Sequence, residues 1–191
     1  MRLFVAVNFP DELRRGIWMA SAPLRDAELP VRWVDEAALH LTLKFLGPTE
    51  PDRVAEIAAA LEAATRETRS FTLPVGGFGA FPSLERPRII WVGCEGVPQL
   101  ELMQHRLEVE MERLGFEIEG RAFHPHLTLG RVAKDARSAR LRPLPALLDE
   151  LRYDAETVVN SVELMESTQG RQGSQYRAVH SVVLGDGNDQ R

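Results

Sequence analysis

Two segments of the chain spell the same four residues: "HLTLKFLG" opens at His40 and "HLTLGR" opens at His126. Side chains alternate between faces along an extended strand. His40 and Thr42 therefore share one face, with Leu41 and Leu43 on the other, and His126 and Thr128 stand in the same relation to Leu127 and Leu129. Two imidazoles and two hydroxyls around one cleft suit chemistry at phosphorus. Histidine, with an ordinary pKa of about 6.5, gives or takes a proton near neutrality. A neutral ring can activate water while a protonated ring protonates a leaving oxygen. Threonine hydroxyls can donate hydrogen bonds to an anion between the rings. In-line displacement needs a base, an acid and donors at the equatorial oxygens, and these parts do not require a metal. Arg131 closes the second motif and is a candidate to offset the charge. Strict alternation would put it opposite His126, so a strand end or bulge must redirect it.

Five His and eight Thr in 191 residues would give about 0.2 His-x-Thr pairs by chance. Two occur, with matching neighbours, so the pattern is read as functional. The other histidines have plainer readings. His105 lies between Met103 and Leu107 on a helix, at a surface or boundary position, and His180 alternates with Tyr176, Ala178 and Val182 as a packed residue. His124 shares a face with His126 and the pair could hold a metal, but no nearby Asp or Glu completes a site. His124 reads as a neighbour of the reactive ring.

Bulk properties narrow the class. A net charge of −5 argues against a wide basic surface for long nucleic acid, while leaving room for a small basic pocket for one phosphate. Cys94 is the one cysteine, so no internal disulfide forms, and a buried thiol without a role is expected. The apolar run in "MRLFVAVNFP" is too short for a signal peptide, and no run approaches the roughly 18 apolar residues of a membrane helix. A cytoplasmic address, away from membranes, is the default expectation.

The elements that must position the motifs follow from periodicity. A buried strand is expected over Arg2–Phe9, then a helix opened by Pro10 and Asp11 with Leu13, Ile17, Met19 or Ala20, and Leu24 on its apolar face. "VRWV" at 31–34 is a short extended piece before the His40 strand. Thr49 is a possible cap, three before Asp52, for a helix striped by Val54, Ile57, Ala58, Leu61 and Ala64 or Thr65. Strands are expected at 71–81 and 88–94. A helix runs from Pro98 to Gly115 with Leu100, Met103, Leu107, Met111 and Leu114 inside. A short strand at "FEIEG" precedes the His126 strand, and a short helix at "ALLDEL" follows it. Two last strands, "ETVVNSVELMES" and "SQYRAVHSVVLG", flank the loop "TQGRQG".

Each half thus runs strand, helix, short strand, motif strand. No linker divides the halves, so residues 1–185 are expected to form a single bilobal catalytic domain, with two lobes face to face around the motifs. Residues 186–191 are expected to be a disordered tail.

Paired His-x-Thr segments in a duplicated chain resemble the two-histidine phosphoesterase superfamily. Within it, "HLTLKFLG" and "PHLTLGR", with "FVAVNFP", "VRWV" and a late "ES" before Tyr176, resemble the RNA 2′,3′-cyclic phosphodiesterases, also called 2′-5′ RNA ligases. The resemblance implies an α+β, bilobal, duplicated fold, with mainly antiparallel sheets lining a central cleft and helices outside. It implies hydrolysis of 2′,3′-cyclic phosphate RNA ends to 2′-phosphomonoesters, with possible reverse 2′-5′ ligation. Carried over, His40 is the proton donor, His126 the proton acceptor, and Thr42, Thr128 and Arg131 bind the phosphate. Tyr176, Phe9, Trp33 and Phe45 are candidates to pack beside a base. For Phe45, on the leucine face, a core role is favoured. No cofactor or metal is expected, and a monomer acting on RNA 3′ ends or small cyclic nucleotides is. The alternatives are a phosphodiesterase for small cyclic or 2′,5′-linked nucleotides, and a nucleotide- or RNA-binding module without turnover.

Overall fold

Alternating burial along the strands decides the architecture. The structure is a computed structural model and describes residues 1–170 and 173–186. Along β1 (Arg2–Asn8), Leu3, Val5 and Val7 enter the main core, while Phe4 and Ala6 form a small cluster with Met165 on the opposite face. The other strands are β2 (Val31–Trp33), β3 (His40–Pro48), β4 (Phe71–Phe81), β5 (Ile89–Cys94), β6 (His126–Val132), β7 (Asp154–Val159), β8 (Ser161–Gly170) and β9 (Gly173–Val183).

Among the described residues these nine strands form one sheet, in the order β7-β4-β5-β6-β3-β1-β8-β9, with β2 added beside β6. Every strand pair is antiparallel. Helices α1 (Asp11–Ala20), α2 (Ala22–Asp26), α3 (Val54–Thr65), α4 (Pro98–Arg113) and α5 (Leu144–Glu150) contribute Leu13, Ile17, Leu24, Ile57, Leu61, Leu100, Met103 and Leu144 to the core on one side. The other face is left open, and the sheet curls as a half-barrel.

The halves meet edge to edge rather than face to face. Strands β3 and β6 are neighbours, joined at the pair Leu41–Leu127. Both leucines are fully buried. Taking each out of water contributes about 1.5–3 kcal/mol.

Several local expectations are corrected. The first helix breaks at Ser21, because Pro23 lacks an N–H and cannot continue a helix interior. Met19, about 200° around the helix from the buried Ile17, is on the outside, 68% exposed. Thr49 does not cap a helix; its hydroxyl donates to the Gly47 carbonyl at 3.1 Å. "FEIEG" forms no strand, since its backbone is bound by side chains instead: the Glu117 carbonyl accepts from Lys44 Nζ, and the Glu119 N–H donates to Glu108 Oε2. "ETVVNSVELMES" is two strands, β7 and β8, which pair with β4 and β1 in opposite halves. The "TQGRQG" loop shortens, because Thr168, Gln169 and Gly170 continue β8 and pair into β9. Arg171 and Gln172 lie outside the described residues, as does the expected tail beyond Asp186.

Lys44 is the one lysine in the core, 5% exposed, and its ammonium meets Glu108 Oε2 of α4 at 2.6 Å. Gln104 Nε2 completes the junction by donating to Glu108 Oε1 at 3.1 Å and to the Leu43 carbonyl at 3.4 Å. Breaking such a pair strands an uncompensated buried charge. Glu108→Ala is therefore expected to lower unfolding free energy by about 3–5 kcal/mol in urea titration. The double variant Lys44→Met/Glu108→Leu should recover most of that loss; equal losses in the two variants would refute the assignment.

Candidate active site

The antiparallel register through Leu41–Leu127 sets His40 opposite Thr128 and Thr42 opposite His126. Directly opposed residues share a face and lie about 5 Å apart. The four polar side chains therefore form one compact group on the open face, related by a pseudo-two-fold axis through the leucine pair.

Each motif strand then carries a bulge at the same place. In β3, Thr42 opposes Ala6 and Lys44 opposes Val5, so Leu43 is the extra residue. In β6, Thr128 opposes Trp91 and Gly130 opposes Ile90, so Leu129 is the extra residue. One added residue inverts the alternation beyond it. Lys44 and Gly130 turn inward, and Phe45 and Arg131 turn to the open face. The β3 bulge is braced by α4 through Gln104, and the β6 bulge by β2, where the Val34 N–H donates to the Leu129 carbonyl at 2.8 Å. Gly130 is required for that contact: a Cβ there would lie 2.5 Å from Val31 Cγ1 and 2.6 Å from the Trp33 ring.

Both imidazoles are held by the same device. His40 Nδ1 lies 2.8 Å from the Ala38 carbonyl, and His126 Nδ1 lies 2.6 Å from the His124 carbonyl. A carbonyl only accepts, so Nδ1 carries hydrogen in both rings and Nε2 is the atom left to exchange a proton. Phe4 and Tyr176 flank His40 with ring centroids at 5.0 and 4.9 Å. Phe81 and Trp91 flank His126 at 5.0 and 6.4 Å. Burial against these rings lowers the pKa of both histidines below the usual value. The bonds to Ala38 and His124 partly oppose this, while the Arg131 cation lowers both further. The two rings are also coupled, since the charge of His126 lowers the pKa of His40.

A family model described as the 2′-5′ RNA ligase superfamily matches residues 9–171. The chain belongs to the 2′-5′ RNA ligase superfamily. An RNA 2′,3′-cyclic phosphodiesterase of Aeropyrum pernix is 37% identical over 171 residues, covering 84% of this chain and 93% of that one. The crystal structure of E. coli LigT complexed with 3′-AMP superposes with a TM-score of 0.76 at 27% identity, covering 96% of this chain and 97% of that one. TT0787 of Thermus thermophilus shares the fold with a TM-score of 0.82 at 24% identity, over 98% of this chain and all of that one.

Within this superfamily member, Arg131 reaches the motif face through the β6 bulge, and Tyr176 stands against His40. Phe9 does not join them. It follows Val5 and Val7 into the helix-covered core and is 5% exposed, so it cannot stack on a base. Trp33 likewise packs on the core. Phe45 is the opposite case, because the β3 bulge puts it on the open face, 66% exposed and 6.3 Å from Phe4. Phe4, Phe81 and Trp91 were not anticipated. Phe4 sits in an unbroken apolar run in which no polar residue marks a face; the small residue Ala6, two places on along β1 and on the same face, is the signal that leaves it room beside His40. His180 bonds Glu62 Oε1 at 2.9 Å, away from the motifs, and His105 is exposed. Among the described residues, no third His, Cys, Asp or Glu converges on His124 and His126. Burial pushes the Cys94 thiol up to about 12, so it stays protonated.

Titrated by NMR, both imidazoles should show midpoints below the ordinary histidine value. Arg131→Gln removes a cation that disfavours the protonated rings, so both midpoints should rise. Unmoved midpoints would place the guanidinium away from the pair.

Proposed function

We propose that the protein hydrolyses 2′,3′-cyclic phosphate ends of RNA to 2′-phosphomonoesters; its Aeropyrum relative is named an RNA 2′,3′-cyclic phosphodiesterase. The observation that carries this reading is the register at Leu41–Leu127, which gathers two histidines and two threonines on one face. Water attacks phosphorus, and His126 Nε2 takes its proton. The P–O3′ bond breaks, and His40 Nε2 gives a proton to the departing O3′, leaving a 3′-hydroxyl and a 2′-phosphate. The Thr42 and Thr128 hydroxyls and the Arg131 guanidinium bind the non-bridging oxygens, where charge accumulates. An RNA 5′-hydroxyl in place of water gives a 2′-5′ linkage by the same steps. Phe45 and Tyr176 supply flat apolar surface on the His40 side for the terminal base, with Phe4 buried behind them. The proposed enzyme acts in the cytoplasm as a monomer on RNA ends or nucleotides bearing the cyclic phosphate.

The lowered pKa values set the pH response. His126 must be neutral and His40 protonated, so kcat/KM is bell-shaped, with acid titrating the base and alkali titrating the acid. Both limbs should lie on the acid side of those of unperturbed histidines, and the two apparent values belong to the pair. His40→Ala and His126→Ala should each lower kcat by about 100-fold or more. The double variant should lose less than the product of the single losses. Near-full activity in either single variant, assayed on a cyclic-ended oligonucleotide, sinks the mechanism.

Acid, base and oxyanion donors are all side chains, so hydrolysis is expected to survive EDTA. Loss on chelation with recovery on adding a divalent ion would instead favour metal ligation by His124 and His126.

A further inference from the structure

Arg32 and Arg131 are directly opposed in the β2–β6 ladder, and both are exposed. Opposed residues share a face, so Arg32 stands on the open face beside Arg131. Like charges directly opposite one another destabilise a sheet. Among the described residues no carboxylate pairs with either guanidinium. Protection of an edge strand does not explain the choice, because Glu at position 32 would blunt the edge equally and would neutralise Arg131. Arg131 opens a basic stretch of an acidic chain: residues 131–142 hold five Lys or Arg and one Asp, against a net charge of −5 overall. Beyond the pair, where the Ala133 N–H donates to the Pro30 carbonyl, a cavity of about 330 Å³ is lined by Pro30, Asp135, Ala136, Arg137 and Arg140.

The substrate's connectivity gives Arg32 a task. In the proposed reaction O3′ departs toward His40, so the terminal ribose lies on the His40 side. The RNA chain continues from the 5′ oxygen of that ribose. Continuing past His40 and Thr128 on the same face leads to Arg131 and then to Arg32 on β2. Arg131 acts on both imidazoles, whereas Arg32 is not among the charges that bear on either. We propose that Arg32 binds the phosphodiester on the 5′ side of the terminal nucleotide, making this a two-phosphate site selective for RNA ends over cyclic mononucleotides. The proposal rests on the reading of the site as a cyclic phosphodiesterase.

The test compares a cyclic-phosphate-ended RNA trinucleotide with 2′,3′-cyclic AMP, which has no upstream phosphate. Arg32→Gln should lower kcat/KM for the trinucleotide about tenfold or more, mainly through KM. Turnover of 2′,3′-cyclic AMP should stay within about twofold, and Arg32→Lys should restore part of the loss, since the contact is to charge. The salt dependence of trinucleotide KM should also flatten in Arg32→Gln. Equal losses on both substrates, or no loss on either, overturns the assignment. Wild-type protein inert toward both substrates defeats the reading of the site itself. Binding of a 2′-phosphate-ended trinucleotide against adenosine 2′-phosphate then decides the role of Arg32 separately, and equal weakening of both by Arg32→Gln refutes it.

Discussion

A single antiparallel contact, Leu41 against Leu127, governs the geometry of the site. A strand has period two, so a shift of one residue in this register would put each histidine beside a leucine and send the opposing polar residue into the core. Complete burial of both leucines resists that shift, because slippage would expose them on the open face. Hydrophobic burial on one side of the sheet thereby fixes the relative position of four polar groups on the other. No contact among the polar groups is needed to hold them.

Symmetry brings the histidines together, and the residues just past the motifs make them unequal. Both strands bulge at the fourth motif residue, yet "KF" follows in one and "GR" in the other. The inward residue decides what anchors the bulge: Lys44 reaches the carboxylate of α4, and Gly130 admits Val31 and Trp33 of β2. The outward residue decides what the open face offers, an aromatic ring at Phe45 and a cation at Arg131. A substrate with a base at one end and an anion at the other meets a surface divided in the same way.

The motif face was legible in the sequence because alternation of His, Leu, Thr and Leu is a local property. The repeat and most strands were legible for the same reason. The bulges were not, since an extra residue in one strand is defined only against its partner. That is why Phe45 read as a core residue and why the route of Arg131 to the motifs stayed open. Phe9 failed differently. In a run where Leu3 through Val7 are all buried, hydrophobicity does not say which of the two faces a residue takes. Likewise, "ETVVNSVELMES" is uniformly strand-like, and only its two different neighbours, β4 and β1, divide it at Asn160.

That division at Asn160 has a further consequence for how the halves are joined. The chain leaves the first half after α3 to lay β4 beside β5, and it returns after β7 to lay β8 beside β1. Each half of the sheet is therefore completed by strands that lie in the opposite half of the sequence. A cut between β4 and β5 would yield an N-terminal fragment whose β1 has lost β8 and whose β4 has lost both neighbours. The duplication visible in the motifs is thus interlaced in three dimensions, and the two repeats are not autonomous folding units. Formation of the site is coupled to pairing between residues near opposite ends of the chain, such as Phe4 with Met165.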